Sequence, residues 1–287
     1  MRRPISKKNI LPDTSLFDEY QKIEYLFSEN KCIGTFNQFG RSLSLEFTLE
    51  QYLNDLVFSN WQLRGTAISF YNMRDERNLN KDRITKDFTI EIFIDFIELC
   101  LNSIYHINQT INIHHNVYLS DKELLNIILE NCKQILIKLG YGSDFDENTG
   151  EIYVYAVNNI STAVSENNED IADSLVEYRR HDIRGNIKKK GEILCTLYKK
   201  LESIEGQIKG TTYEGLVNDT RFLFNKTGVR HWVEKDIIAS KTFLKMEPDI
   251  LEEWYDRTYD LFLSCMVIRS YLQIKKEIGD IKRTDGE

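Results

Sequence analysis

The sequence predicts a mainly α protein, and three observations carry that expectation. Only three of its 287 residues are proline, so little of the chain is barred from helix. Apolar residues recur at steps of three and four over most of its length. Strict alternation, the mark of a half-buried strand, is confined to two short stretches. The expected architecture is a mostly helical part with a small β-hairpin over residues 1–159, followed by a run of helices over 160–287.

In order along the chain, residues 1–14 are polar and basic and read as a loose arm. Leu16, Phe17, Tyr20, Ile23, Leu26 and Phe27 form a helical stripe. Leu43, Leu45 and Phe47 alternate with polar residues, as in a short strand. Thr48 and Gln51 have capping-box spacing ahead of Tyr52, Leu53, Leu56 and Val57. Trp61 and Arg64-Gly65 suggest either a phosphate-binding turn or a packed Trp beside a solvated Arg. The charged stretch 72–86 reads as a solvated linker or helix surface. A long core helix is expected from Asp87 to Ile107, wet on a narrow stripe only. His114-His115 then falls in a loop. Ser120 and Glu123 box a helix that ends at Gly140, and 141–155 reads as a hairpin with an acidic turn.

The second half shows cleaner periodicity. Residues 156–180 fit one helix, ending in the basic cluster Arg179-Arg180-His181 and Arg184. Asn186 is a good N-cap for a helix over 187–208, whose stripe is Leu194, Leu197, Leu201, Ile204 and Ile208. Lys188-Lys189-Lys190 opens that helix against its dipole and reads as a solvated first turn. Tyr213 to Phe224 forms the next helix. Pro248 suits the first turn of a last long helix reaching about 277, and 281–287 is expected to be disordered.

Composition narrows the function classes. A formal charge of -8 excludes bulk attraction to nucleic acid, so any such site must be a local basic patch. The five cysteines lie at 32, 100, 132, 195 and 265, with no CxxC pair, which argues against a disulfide framework or zinc site. Free buried thiols suit a reducing cytoplasm, and no signal peptide or membrane span is expected. Asp144, Asp146 and Glu147 lack the glycine and closing Glu of a calcium loop. No metal and no cofactor is expected, and no GxSxG, P-loop, HExxH or dinucleotide motif occurs.

The remaining concentration of chemistry is the stretch from Arg221 to Trp232, with Asn225, Lys226, Gly228, Arg230 and His231. Read structurally, Arg230 and His231 would cap carbonyls at the end of the preceding helix. Read functionally, they would bind or cut a phosphodiester.

From residue 160 onward the chain resembles the bacterial abortive-infection proteins that end in a HEPN-like helical domain. The residues that carry the resemblance are Gly185-Asn186 with Lys190, Leu201-Glu202, Phe224-Asn225 with Arg230-His231, and Leu251-Glu252-Glu253-Trp254-Tyr255-Asp256. The resemblance implies a HEPN-like four-helix bundle, an anti-phage or toxin role, and metal-independent RNA cleavage. It also implies a homodimer, formed through the C-terminal helical domain, and an antitoxin or other partner protein. The family motif is an arginine, often a polar residue, four to six further residues, and a histidine. His231 and Asn225 match, whereas Phe224 stands where the arginine belongs. Arg230 or Arg221 would have to supply that charge, with Lys226, Arg184 and Lys188 as RNA contacts. The alternative is a non-catalytic helical module, binding nucleic acid or protein, with a degenerate site. In the nuclease reading the N-terminal part, residues 1–159, would sense or regulate.

Overall fold

The computed structural model describes residues 15–284 apart from 39–40, 62–64, 81–83, 85–87, 114–116, 120–121, 228 and 230–242. The protein is mainly α and divides into two compact units, Met1–Val154 and Tyr155–Glu287. The boundary falls ahead of residue 159 because the second unit takes the end of the last strand. There Tyr155 bridges to Arg180, and the Ala156 N–H donates to the Arg179 carbonyl at 3.1 Å.

The first unit opens with α1 (Leu16–Ser28), started by a capping box between Ser15 and Asp18. Strands β1 (Lys31–Gln38) and β2 (Arg41–Thr48) pair antiparallel, with Gly34 opposite Leu45. A third strand, β3 (Val117–Leu119), joins the free edge of β1. Alternation marks only β2, so a three-stranded sheet replaces the lone expected strand. Its middle strand, KCIGTFNQ, has no regular pattern and is identified only by its partners.

Thr48 and Gln51 form the expected capping box at the head of α2 (Leu49–Tyr52), which continues through a π turn at Leu53–Val57. After α3 (Phe70–Glu76) come α4 (Ile90–Ile113) and α5 (Lys122–Leu139). The hairpin of β4 (Tyr141–Asp146) and β5 (Glu151–Ala156) closes the unit, as expected. Helix α4 starts and ends later than its sequence suggests. Asp87, His114-His115, Ser120 and Arg64 lie outside the described residues.

Stretch 72–86 is not simply a solvated surface. Met73 and Arg74 are buried, Arg74 being 3% exposed. Its guanidinium bridges Glu24 of α1 at 2.8 Å and Glu50 of α2, and donates to the Leu79 carbonyl. Trp61 takes the packed reading: it is buried, and its indole N–H donates to Glu151.

The second unit contains α6 (Asn159–Glu166), α7 (Glu169–Glu177), α8 (Ile187–Ile208), α9 (Glu214–Lys226) and α10 (Pro248–Thr284). The single helix expected over 156–180 is two. The side chains of Asn167 and Asn168 donate to the carbonyls of Ala163 and Val164 at 2.8 Å and so end α6. Asn186 caps α8 as expected, its side chain accepting from the Lys189 N–H.

Cross-helix pairs give the directions. Lys190 meets Glu252 and Arg269 meets Gln207, so α8 and α10 run parallel. Lys189–Glu177 and Lys200–Asp170 set α7 antiparallel to α8. Arg221–Glu205 and Tyr213–Tyr271 set α9 antiparallel to both α8 and α10. The tail is helical to Thr284 rather than disordered from 281, with Lys282 and Arg283 in the last turn, where cations are favoured. All five cysteines are buried and none is in a disulfide. Among the described residues, no helix is long and apolar enough to cross a membrane.

Candidate functional site

Helix α9 carries the first half of the predicted motif. Its buried line is Val217, Thr220 and Phe224, at helical steps. Phe224 is fully buried, its ring 5.2 Å from that of Tyr198. The position where the resemblance calls for arginine therefore faces the apolar core, and a guanidinium there would be desolvated.

Asn225 follows in the last turn of α9, half-buried. Thr227 ends the helix, its N–H and its hydroxyl both donating to the Leu223 carbonyl, at 2.9 and 2.8 Å. Val229 is again fully buried. The chain is thus anchored to the core immediately before Arg230 and His231, which lie outside the described residues.

Arg221, the other source of the missing charge, is 43% exposed and donates to Glu205 of α8 at 2.9 Å. The Glu205 charge is the main reason its pKa is raised, so it stays cationic but already holds a carboxylate. Lys226 is exposed with its ammonium 5.7 Å from the Phe222 ring centroid. Arg184 and Lys188 are exposed at the start of α8. The structure brings Arg184 and Lys188 to one end of the helical unit, whereas Arg221 sits along the length of α8, beside Glu205.

What that end also holds is a cluster the first-turn reading of Lys188-Lys189-Lys190 overlooks. Lys190 is buried, and its ammonium lies 2.7 Å from both Glu252 Oε1 and Asp256 Oδ1 on α10. Those carboxylates are four residues apart and so share one helix face. The Tyr178 hydroxyl donates to Asp256 at 2.9 Å, and the Gly185 N–H donates to Glu252 at 3.0 Å. The Lys190 ammonium also lies 5.2 Å from the Tyr178 ring, which stacks on Tyr259 at 4.3 Å. Tyr259 in turn shares a 2.8 Å hydrogen bond with Ser161.

Burial alone would raise the Glu252 carboxyl. Hydrogen bonds from Lys190 and the Gly185 N–H, with the Lys190 and Arg184 charges, outweigh it and hold the group below its usual value. Burial, then the Asp256 charge and hydrogen bond, push the Tyr178 phenol well up, so it serves as a donor. The cluster has the chemistry of an ion-paired pin between α8 and α10. Lys190 supplies one charge and two carboxylates answer it. Its sequence signal was present but faint. The α8 stripe of 194, 197, 201 extrapolates backward to 190, so a lysine stood at a core position.

Comparison of the chain with protein-family models, with curated proteins and with solved structures finds no match. Among the described residues, no group of three His, Cys, Asp or Glu side chains is placed to hold a metal ion. The functional reading therefore rests on the chain's own residues.

Proposed function

We propose that the C-terminal unit acts on RNA as a metal-independent endoribonuclease of the anti-phage or toxin type, through the segment that follows α9. The observation that supports this reading is the anchoring of that segment. Thr227 and Val229 are both buried, so the chain is fixed to the core at the residue that precedes Arg230 and His231 in sequence. This point lies between the third and fourth helices of the antiparallel run α7 to α10. Arg184, Lys188 and Lys226 are exposed cations suited to phosphates.

In the proposed reaction, the RNA 2′-hydroxyl attacks the adjacent phosphorus. The 2′-oxygen–phosphorus bond forms and the bond to the 5′-oxygen breaks. His231 takes the proton from the 2′-hydroxyl or gives one to the departing 5′-oxygen, as a histidine side chain can, and Arg230 holds the phosphate oxygens. One histidine per chain serves poorly as both acid and base, so a homodimer is part of the reading. The first unit would restrain or trigger the second.

RNA integrity is followed after expression and during phage challenge, in wild type beside His231→Ala. Cleavage leaving 2′,3′-cyclic phosphate ends, lost in the variant, supports the nuclease. Intact RNA in wild type under both conditions overturns it.

A second reading is favoured by the burial of Phe224 and the pairing of Arg221 with Glu205. In it the unit binds RNA or a partner protein without cutting. Binding of single-stranded RNA that weakens with salt and with Arg184→Glu/Lys188→Glu, in the absence of cleavage, identifies that case.

A further inference from the structure

Helix α10 carries two different faces along its 37 residues. Tyr255, Tyr259, Phe262 and Met266 pack into the helical core. On the opposite side, Glu253, Arg257, Asp260 and Ser264 follow one another at steps of four, three and four, as an ordinary solvated face should. Beyond Ser264 the same line turns apolar: Val267, Tyr271, Ile274, Ile278 and Ile281, at steps of four, three, four and three. All five are between 45% and 58% exposed.

From Gln273 to Thr284 every residue but Gly279 is exposed, so the last ~18 Å of helix, at 1.5 Å per residue, stands clear of its own core. Isoleucines spaced as the a and d positions of a heptad, on a projecting helix, are left facing water. Isolated exposed apolar residues need no explanation, but a continuous line of five does.

We infer that this line is the seam of a short parallel two-stranded coiled coil formed with a second copy of the chain. With Tyr271 and Ile278 at a and Val267, Ile274 and Ile281 at d, the flanking g positions are Ser270 and Glu277 and the flanking e positions are Ile268, Lys275 and Lys282. A parallel pair sets Glu277 of each copy against Lys282 of the other, in both directions across the axis. An antiparallel pair instead faces lysine with lysine, Lys275 and Lys282, and glutamate with glutamate. Charge complementarity therefore selects both the partner and its direction. Asp260 and Glu253 on the same line would face their own copies, so pairing is confined to the segment after Ser264. The seam spans about two heptads, which makes association concentration-dependent. The inference does not depend on RNA cleavage and is tested without RNA.

The test is sedimentation of the full chain over a dilution series. Wild type is expected to shift reversibly from monomer to dimer. Ile274→Asp/Ile278→Asp should remain monomeric with unchanged helical circular dichroism, since both side chains are exposed. Glu277→Lys should weaken the dimer, and Glu277→Lys/Lys282→Glu should restore it. Because all five native cysteines are buried, Ile281→Cys adds a single accessible thiol. Mild oxidation should then give a covalent dimer, because a d position meets its own copy in the parallel arrangement. A wild type monomeric throughout, or a dimer unaffected by the double aspartate variant, overturns the seam. A dimer in which Ile281→Cys does not cross-link overturns the parallel arrangement.

Discussion

Among the described residues, each unit holds a buried cation paired with two carboxylates, and the two clusters differ in how far they are closed to water. In the first, Arg74 is fastened to Glu24 and Glu50, which belong to α1 and α2 and are themselves nearly buried. In the second, Lys190 is fastened to Glu252 and Asp256 on one helix, and Asp256 is 52% exposed. The guanidinium presents a planar fork that two separate segments can share. The ammonium is a point charge that keeps one carboxylate near water. The first arrangement ties three distant segments of a mixed sheet-and-helix unit together. The second fixes the register of two parallel helices at their common end. The difference teaches that a buried charge is tolerable in proportion to the partners brought to it.

The sharpest break of that rule places a cation where no partner waits. Phe224→Arg supplies the arginine that the resemblance calls for but buries a guanidinium in the apolar core. It should cost about 4 kcal/mol or more, read by denaturant unfolding, and should not raise RNA cleavage. Removing the better enclosed cation comes next. Arg74→Met leaves Glu24 and Glu50 facing each other and should destabilise the first unit by about 3–5 kcal/mol. Hydrogen exchange should show the lost protection in α1, α2 and α3, while α8 and α10 stay protected. Lys190→Met should cost less, about 1–3 kcal/mol, because Asp256 can rehydrate. Its lost protection should appear at the starts of α8 and α10. If Lys190→Met proves the costlier of the two, the comparison fails.

The smallest effects lie in the pH dependence, and the two sites should respond with opposite sign. Glu252 is held below its ordinary value. The stability it adds is present above the unfolded value of about 4.5 and is lost as pH falls through the lowered folded value. Wild type and Glu252→Gln should therefore converge on acidification. Burial raises Glu50, with the Arg74 charge only partly offsetting it. Its folded form favours the proton, so its contribution grows as pH falls toward the unfolded value. Wild type should gain on Glu50→Gln as pH falls from that raised folded value to the unfolded one, a window that lies above the one in which Glu252 loses its contribution. Equilibrium unfolding at a series of pH values separates the two.

Local signals were legible residue by residue. The stripe from Leu194 to Ile208 and the Asn186 cap gave α8 its observed limits. Thr48 and Gln51 formed their box, Pro248 opened α10, and the alternation in 152–155 marked its hairpin. These features depend on neighbours within about one turn, where hydrogen-bond geometry alone decides. Strand β1 was not legible, because a strand without alternation is identified only by its partners. Arg74 looks solvated in sequence, since its carboxylates lie 24 and 50 residues away. Lys190 looks the same, with a partner 66 residues off. For the candidate site, the presence of Asn225, Arg230 and His231 was a matter of sequence, but the fate of Phe224 was a matter of packing.

By itself the sequence determined the helical class, the limits of α8 and α9 and the start of α10, and the residues available for chemistry. Periodicity and caps are short-range, and they survive whatever the rest of the chain does. Only the tertiary structure decided which charges are buried, that Arg221 is held by Glu205, and that α10 outruns its bundle. Each of these depends on desolvation by segments remote in sequence, and no local pattern records which surface a distant helix will cover.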